Sequence, residues 1–158
     1  MGRKSTKANK NVFQLSREET FPSRAAASEK IHISPDRIAR IENDESLPHP
    51  DEVLAMAEGY NNFSLCNHYC SNICEIGKQI VPEVELKDIS QITLEMLVSL
   101  NSLYKEKERL AEITVDGKIT EDELIDFERI QEQLSQISLV ADSLNLWFKQ
   151  TKFEKTSK

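Results

Sequence analysis

The chain has 158 residues, 39% hydrophobic and 30% charged, with only four glycines and five prolines. This length allows one domain or two small ones, and the scarcity of turn residues disfavours an all-β fold. No apolar run could span a membrane or form the core of a signal peptide, so we expect a cytoplasmic protein without membrane contact. The net charge of −7 is uneven: residues 1–47 carry nine Lys and Arg against seven Asp and Glu, and residues 65–158 carry eleven against seventeen.

The first segments of the chain differ sharply in polarity. Residues 1–10 carry four positive charges and no apolar anchor, which predicts a disordered basic arm that could still touch DNA. Residues 11–20 are predicted to form the first helix, with Val12, Phe13 and Leu15 facing inward.

Residues 23–43 predict two short helices joined by a tight turn. Ser23 can cap the first helix, and the Ala-rich run behind it has high helix propensity. Ser34–Pro35 can restart the chain as a helix, because the serine caps free N–H groups and proline suits the first helical position. Ile38 and Ile41 then give the second helix one apolar stripe and leave a polar face outside. A later helix is predicted from residue 50 to residue 60, with four residues on its buried side: Val53, Leu54, Met56 and Ala57.

Residues 33–43, Ile-Ser-Pro-Asp-Arg-Ile-Ala-Arg-Ile-Glu-Asn, resemble the helix-turn-helix of the Cro/cI-like (XRE-type) DNA-binding family. The likeness extends over about residues 11–62. It implies an all-α fold with a lambda-repressor-like domain at residues 11–64, whose recognition helix, about 34–42, enters the major groove of double-stranded DNA. His32 stands where the family usually has glycine, so it must adopt a left-handed backbone angle.

The resemblance and the helix faces together assign DNA contacts to seven residues: Ser23, Arg24, Ser34, Asp36, Arg37, Arg40 and Asn43. Arginine can donate two parallel hydrogen bonds to guanine or bind a phosphate group, which makes the arginines the main candidates. The resemblance also pairs Arg17 with Glu42, and we interpret this pair as structural because a buried ion pair mainly fixes geometry.

All three cysteines lie in residues 65–87, which we predict to be a connector followed by an extended linker. Four potential metal ligands share the segment: Cys66, His68, Cys70 and Cys74. Three thiolates and one imidazole could bind zinc, but the spacing lacks the usual C-x2-C knuckle, and His68 lies far around a helix from the cysteines. Burial as small apolar side chains is therefore favoured, and we expect no cofactor, with zinc as the alternative.

Residues 88–150 predict a long antiparallel helical hairpin that begins at a capping residue, Asp88, and residues 151–158 a disordered tail. Apolar residues recur at three- and four-residue spacing: Ile89, Ile92, Leu94, Met96, Leu97, Leu100, Leu103, Leu110 and Ile113, then Leu124, Phe127, Ile130, Leu134, Ile137, Val140, Ala141, Leu144 and Trp147. A hairpin alone cannot bury them all, which predicts a homodimer formed here. Residues 112–123 partly imitate a calcium loop, but too few carboxylates stand at its start, so a turn and a helix cap are favoured.

These features predict a sequence-specific transcription regulator. No phosphate loop, nucleophile elbow or zinc-protease motif suggests an enzyme. Two alternatives stay open: a helix-turn-helix fold that binds protein through its acidic hairpin, and a metal- or thiol-responsive regulator that acts through Cys66–Cys74. The operator, the direction of regulation and any small-molecule effector are not encoded in recognisable motifs.

Overall fold

The computed structural model describes residues 9–156 of the chain, with side chains up to residue 152. Most of the predicted basic arm and the last two residues lie outside the described residues. Every regular element within residues 9–156 is a helix, as predicted: α1 Val12–Thr20, α2 Arg24–Ile31, α3 Pro35–Glu42, α4 Pro50–Gly59, α5 Ser64–Asn72, α6 Gly77–Ile80, α7 Ile89–Thr114 and α8 Glu121–Thr156.

The described residues form two compact units, the first containing residues 9–84 and 149–156 and the second residues 85–148. The segment that the sequence predicted to be a connector and linker differs in structure. Residues 65–84 belong to the first unit, where α5 and α6 are helical and only the residues after α6 are extended. The predicted disordered tail also differs, because α8 continues as helix through Thr156.

The first unit is built on one apolar core to which five helices contribute. Its buried members are Phe13, Ala27, Ile31, Ile38, Ile41, Val53, Met56, Ala57, Tyr60 and Leu65. The buried positions of α3 and α4 follow the three- and four-residue spacing of a helix that faces a core on one side. Val53, Met56 and Ala57 are therefore buried as predicted.

Two leucines predicted to face this core are exposed. Leu15 lies between the buried residues of α1, which include Gln14 and Arg17, and it points away from them. Polar side chains can take the inward positions because they have partners: the Gln14 amide donates to Glu18, and Ser16 accepts from Asn62. Leu54 of α4 is exposed because the stripe of Val53, Met56 and Ala57 faces the core.

Within the first unit, the last residues of α8 contact the turn after α4 through a buried amide. Gln150 Nε2 donates to the backbone oxygen of Asn61 at 2.5 Å, and Gln150 Oε1 accepts from the backbone N–H of Phe63 at 3.0 Å. This amide satisfies backbone groups in the turn between α4 and α5 that burial would otherwise leave unpaired.

The second unit contains α7 and most of α8, connected by a turn at Gly117, which has a positive φ of 71°. Two ion pairs link the helices, Arg109 to Asp126 at 2.7 Å and Glu106 to Arg129 at 3.0 Å. Moving three residues back along α7 moves the partner three residues forward along α8, so the two helices are antiparallel. Asp88 caps α7 as predicted, accepting from the N–H groups of Ser90 and Gln91.

The turn between α7 and α8 has the chemistry of a helix cap. Glu123 accepts hydrogen bonds from both the backbone N–H and the hydroxyl of Thr120. These bonds lower the pKa of the Glu123 carboxyl. Its carboxylate therefore already satisfies the N-terminus of α8, as the simpler interpretation of this loop predicted.

Fewer side chains of the hairpin are buried than the apolar pattern predicted. Ile92, Ile113, Ile130 and Val140 are buried, but most of the other predicted positions are only partly covered. Six of them are among the exposed apolar side chains: Ile89, Leu94, Leu97, Leu100, Leu124 and Leu134.

Candidate nucleic-acid interface

The turn between α2 and α3 is determined by local chemistry at each joint. Ser23 caps α2 by accepting from Ala26 N–H, and Ser34 caps α3 by accepting from Arg37 N–H at 3.3 Å. Between them, His32 has a φ of 57° and lies in the left-handed region. The strained angle expected where the family usually has glycine is therefore present, and it turns the chain from α2 into α3.

A buried network of charges holds α1, α2 and α3 together. Arg17 donates to both carboxylate oxygens of Glu42, at 2.5 and 3.2 Å, and Arg24 Nε donates to Glu42 at 2.8 Å. The Glu42 side chain is 1% exposed and that of Arg17 is 5% exposed. Because Glu42 is the last residue of α3, this carboxylate fixes α3 against the two helices before it.

Arg24, predicted to contact DNA, thus has a structural contact as well. Its side chain is about one-third exposed, and only Nε is bonded to Glu42 among the described residues. Glu42 orients the guanidinium, and the two terminal amino groups stay available to an anion. A phosphate group approaching the N-terminus of α2 would meet these groups and the free N–H groups of the helix end.

The Arg37 side chain is bonded to other residues of the domain, whereas the sequence predicted an outward side chain that contacts DNA. Its Nε and Nη2 donate to the two oxygens of Glu52 at 2.7 and 2.6 Å, while Nη1 donates to Ser46 and Nη2 also to the Leu47 carbonyl. This bidentate pair raises the pKa of Arg37 and lowers the pKa of Glu52. Arg37 therefore ties α3 to α4 and to the loop between them.

The exposed face of α3 is left with one charged group of each sign. Arg40 is exposed and has no side-chain partner within residues 9–156, and Asp36 lies one turn before it on the same helix. Asn43 is exposed at the C-cap and donates to Glu45 at 3.2 Å. Ser34 is exposed at the start of the helix. Arg40 is consequently the cation of α3 that is free to meet a ligand.

Sequence reasoning missed Glu52 and Ser46, the two side chains that hold Arg37. One signal for Glu52 was present, since a glutamate three residues after the residue that precedes a helix often bonds back to the start of that helix. Glu52 does accept from His49 N–H at 2.8 Å. Its bond to an arginine 15 residues earlier depends on how α3 and α4 pack, which no local pattern expresses.

Glu52→Gln is expected to lower stability by about 1–2 kcal/mol at pH 7, because it removes the charge from a bidentate hydrogen-bonded pair. The folded-state pKa of Glu52 lies below its ordinary value, so the stabilisation is present above that value and disappears as the pH falls through the folded-state pKa. The difference between wild type and variant should therefore shrink on acidification below about pH 4.5, measured by thermal unfolding at several pH values. Glu58→Gln, an exposed change on the same helix, should have little effect at any pH.

The four potential metal ligands of the cysteine segment are not brought together. Cys66 packs against the core, and burial raises the pKa of its thiol. His68 faces Glu83 at 3.5 Å and lies edge-on to Phe13, while Cys74 accepts a hydrogen bond from Gly77 N–H. In the described part of the chain, no three His, Cys, Asp or Glu residues are placed to share a metal ion. The structure therefore offers no geometric support for zinc at Cys66, His68, Cys70 and Cys74.

Comparisons with known proteins agree with this geometry at the level of the family. A helix-turn-helix family model matches residues 23–65, which contain α2, α3, α4 and the start of α5. Searches among curated proteins and among solved structures returned no match. Over residues 9–156, no helix combines the length and apolar character needed to cross a membrane. The family-model match at residues 23–65 shows that the front of this chain contains a helix-turn-helix domain of the Cro/cI-like (XRE-type) DNA-binding family.

Proposed function

We propose that this chain is a non-enzymatic, cytoplasmic transcription regulator that binds a specific double-stranded DNA sequence as a homodimer. Its recognition helix would be α3 with its cap, residues 34–42, placed in the major groove. The observation that carries the proposal is Arg40, an exposed arginine without a side-chain partner among residues 9–156, on a helix that a buried ion network fixes in position.

Three kinds of contact support DNA as the ligand. Arg40 and Asp36 could read base edges, since arginine matches guanine and a carboxylate can accept from the cytosine amino group. Arg24 with Ser23, and Ser34, mark the N-terminal ends of α2 and α3, where phosphate groups are favoured. Asn43, at the other end of α3, could contact a base or the backbone.

The same structure predicts modest affinity. Arg17 is buried, and Arg37 is neutralised by Glu52, so the domain offers fewer free cations than its sequence suggests. If each copy contacts about two phosphates, the affinity of a pair should fall roughly a hundredfold between 50 and 200 mM salt.

Selection from a pool of random duplexes at low salt tests the proposal. Wild type should enrich a sequence, and Arg40→Glu should abolish that enrichment. Lys118→Glu, in the turn of the second unit, makes the same change in net charge and should preserve enrichment. A wild-type protein without affinity for any duplex at low salt would refute DNA binding.

A second function, protein binding by the helix-turn-helix fold, is favoured by the charge pairing. Pairing of Arg24 and Arg37 with carboxylates makes the surface around α3 less basic than DNA binding usually requires. If the pool selection fails, this interaction module becomes the better interpretation, and the acidic second unit is the place to look for its partner.

A further inference from the structure

Helix α7 carries a row of large, mostly exposed apolar side chains, with Lys107 over the ring of Tyr104 at one end of the row. Leu94 is 63% exposed, Leu97 55%, Val98 59% and Tyr104 67%. Their spacing of three, one and six residues puts them on one side of the helix, away from the buried Ile92 and Ile113. We call Leu94, Leu97, Val98, Asn101 and Tyr104 the α7 strip. A shallow groove of about 430 Å³ adjoins it, lined by Ile89, Ser90, Thr93, Leu94 and Leu97.

Four of the five strip residues lie in a stretch without charge, and Leu94 lies just before it, beside Glu95, which is paired with Lys87. Residues 96–104 contain no Asp, Glu, Lys or Arg, although 30% of the whole chain is charged. Solvated helix faces normally carry charges, and contiguous exposed apolar surface indicates an interaction site. DNA does not suit this surface, because no residue of the strip is a cation that could neutralise phosphate groups, and Lys107 adjoins only its Tyr104 end.

The size of the strip is close to what a stable pair requires. Its apolar members and the flanking Ile89 and Leu100 are each between 39% and 67% exposed. At roughly 100 Å² for each side chain, they offer about 600 Å², against about 800 Å² per partner in a standard interface. Neighbouring polar groups along the helix can supply the remaining area as a rim.

We propose that the α7 strip is the surface through which two copies of this chain associate. A two-fold interface places a patch against itself, so any charge near the axis would face an identical charge. An uncharged apolar strip avoids that repulsion, and it therefore matches a second copy particularly well. Asn101 is exposed within the strip, and its amide can both donate to and accept from the same amide of the second copy, which would fix the register.

This inference rests on the proposed function only in naming the surface of the proposed homodimer. The oligomeric state can be measured without DNA, so the two proposals fail separately. A dimer that binds no duplex would refute the proposed regulator and leave the proposed association through the α7 strip standing. A monomer that binds DNA would refute only the proposed association.

Sedimentation equilibrium from about 1 to 100 µM tests the strip. Wild type should weigh twice the chain mass of 18.1 kDa, and Leu94→Lys/Val98→Lys should dissociate at least a hundredfold more readily, with unchanged helix content by circular dichroism. The matched control, Ile119→Lys/Ile125→Lys, alters exposed apolar residues outside the strip and should stay dimeric. Should the double variant not fold, Asn101→Lys serves instead, because it adds one like charge per copy at an exposed polar position. A wild type that is monomeric at 100 µM, or a control that dissociates equally, would overturn the proposal.

Discussion

Replacing Glu42 with alanine is expected to lower the free energy of unfolding of the first unit by about 3–5 kcal/mol, enough to unfold a marginally stable domain. The carboxylate is buried and accepts from Arg17 and Arg24, so its removal leaves the Arg17 guanidinium buried without its main partner. Three helices meet at this carboxylate, so α1, α2 and α3 should lose stability together. Thermal unfolding and amide hydrogen exchange of the three helices measure it.

Two further variants separate charge from packing at this position. Glu42→Gln keeps the shape but loses the charge, and it should be intermediate in stability. Arg17→Met/Glu42→Leu removes both buried charges, so it should recover much of the loss, because an apolar pair avoids an uncompensated charge. Glu29→Ala, an exposed change on α2, should stay within about 0.5 kcal/mol of wild type. A cost below about 1 kcal/mol for Glu42→Ala would show that the arginines find other partners when the carboxylate is gone.

The parts of the fold that sequence predicted well are those with local signals. Ser23, Ser34 and Asp88 each cap a helix within three residues of themselves, and His32 occupies the position between α2 and α3 that requires a left-handed angle. These features depend on neighbours in the chain, so the order of residues contains the needed information. The family resemblance added the packing of α2 against α3, and the match over residues 23–65 supports it.

The parts that sequence did not predict depend on contacts between distant residues. Leu15 was expected inside on hydrophobicity alone, but Gln14 and Ser16 hold the inward positions because Glu18 and Asn62 provide hydrogen bonds. The sequence predicts a connector where α5 and α6 form, because Leu65 joins the core only when α5 packs on α4, and α6 packs in turn on α5.

Arg37 shows the same limit within the candidate site. Its type and position on α3 predict an outward base-reading side chain, and the sequence treats it as equivalent to Arg40. The difference between them comes from Glu52 on α4 and from the loop oxygens at Ser46 and Leu47. Whether an arginine of α3 is free to contact DNA thus depends on the neighbouring helix, and two arginines three residues apart acquire different roles.

The two arginines should therefore separate stability from DNA recognition. Arg40→Ala is expected to weaken binding to a selected duplex by about 10- to 100-fold while unfolding at nearly the wild-type temperature, because a bidentate contact to a base discriminates by about 1–3 kcal/mol. Arg37→Ala should instead lower stability by about 1–3 kcal/mol, since Glu52 is left without its partner. Fluorescence anisotropy with the selected and a scrambled duplex, together with thermal unfolding, measures both effects.

Arg40→Lys adds the decisive comparison, because lysine keeps the positive charge but loses the planar pair of donors. It should bind the scrambled duplex as well as wild type does and lose preference for the selected one, which would show that Arg40 reads a base. Equal losses on both duplexes would reduce Arg40 to a phosphate contact. If Arg37→Ala lost the preference at unchanged stability, Glu52 would have to release Arg37 to the DNA, and α3 would read its site through the arginine that the free protein keeps bound to its own carboxylate.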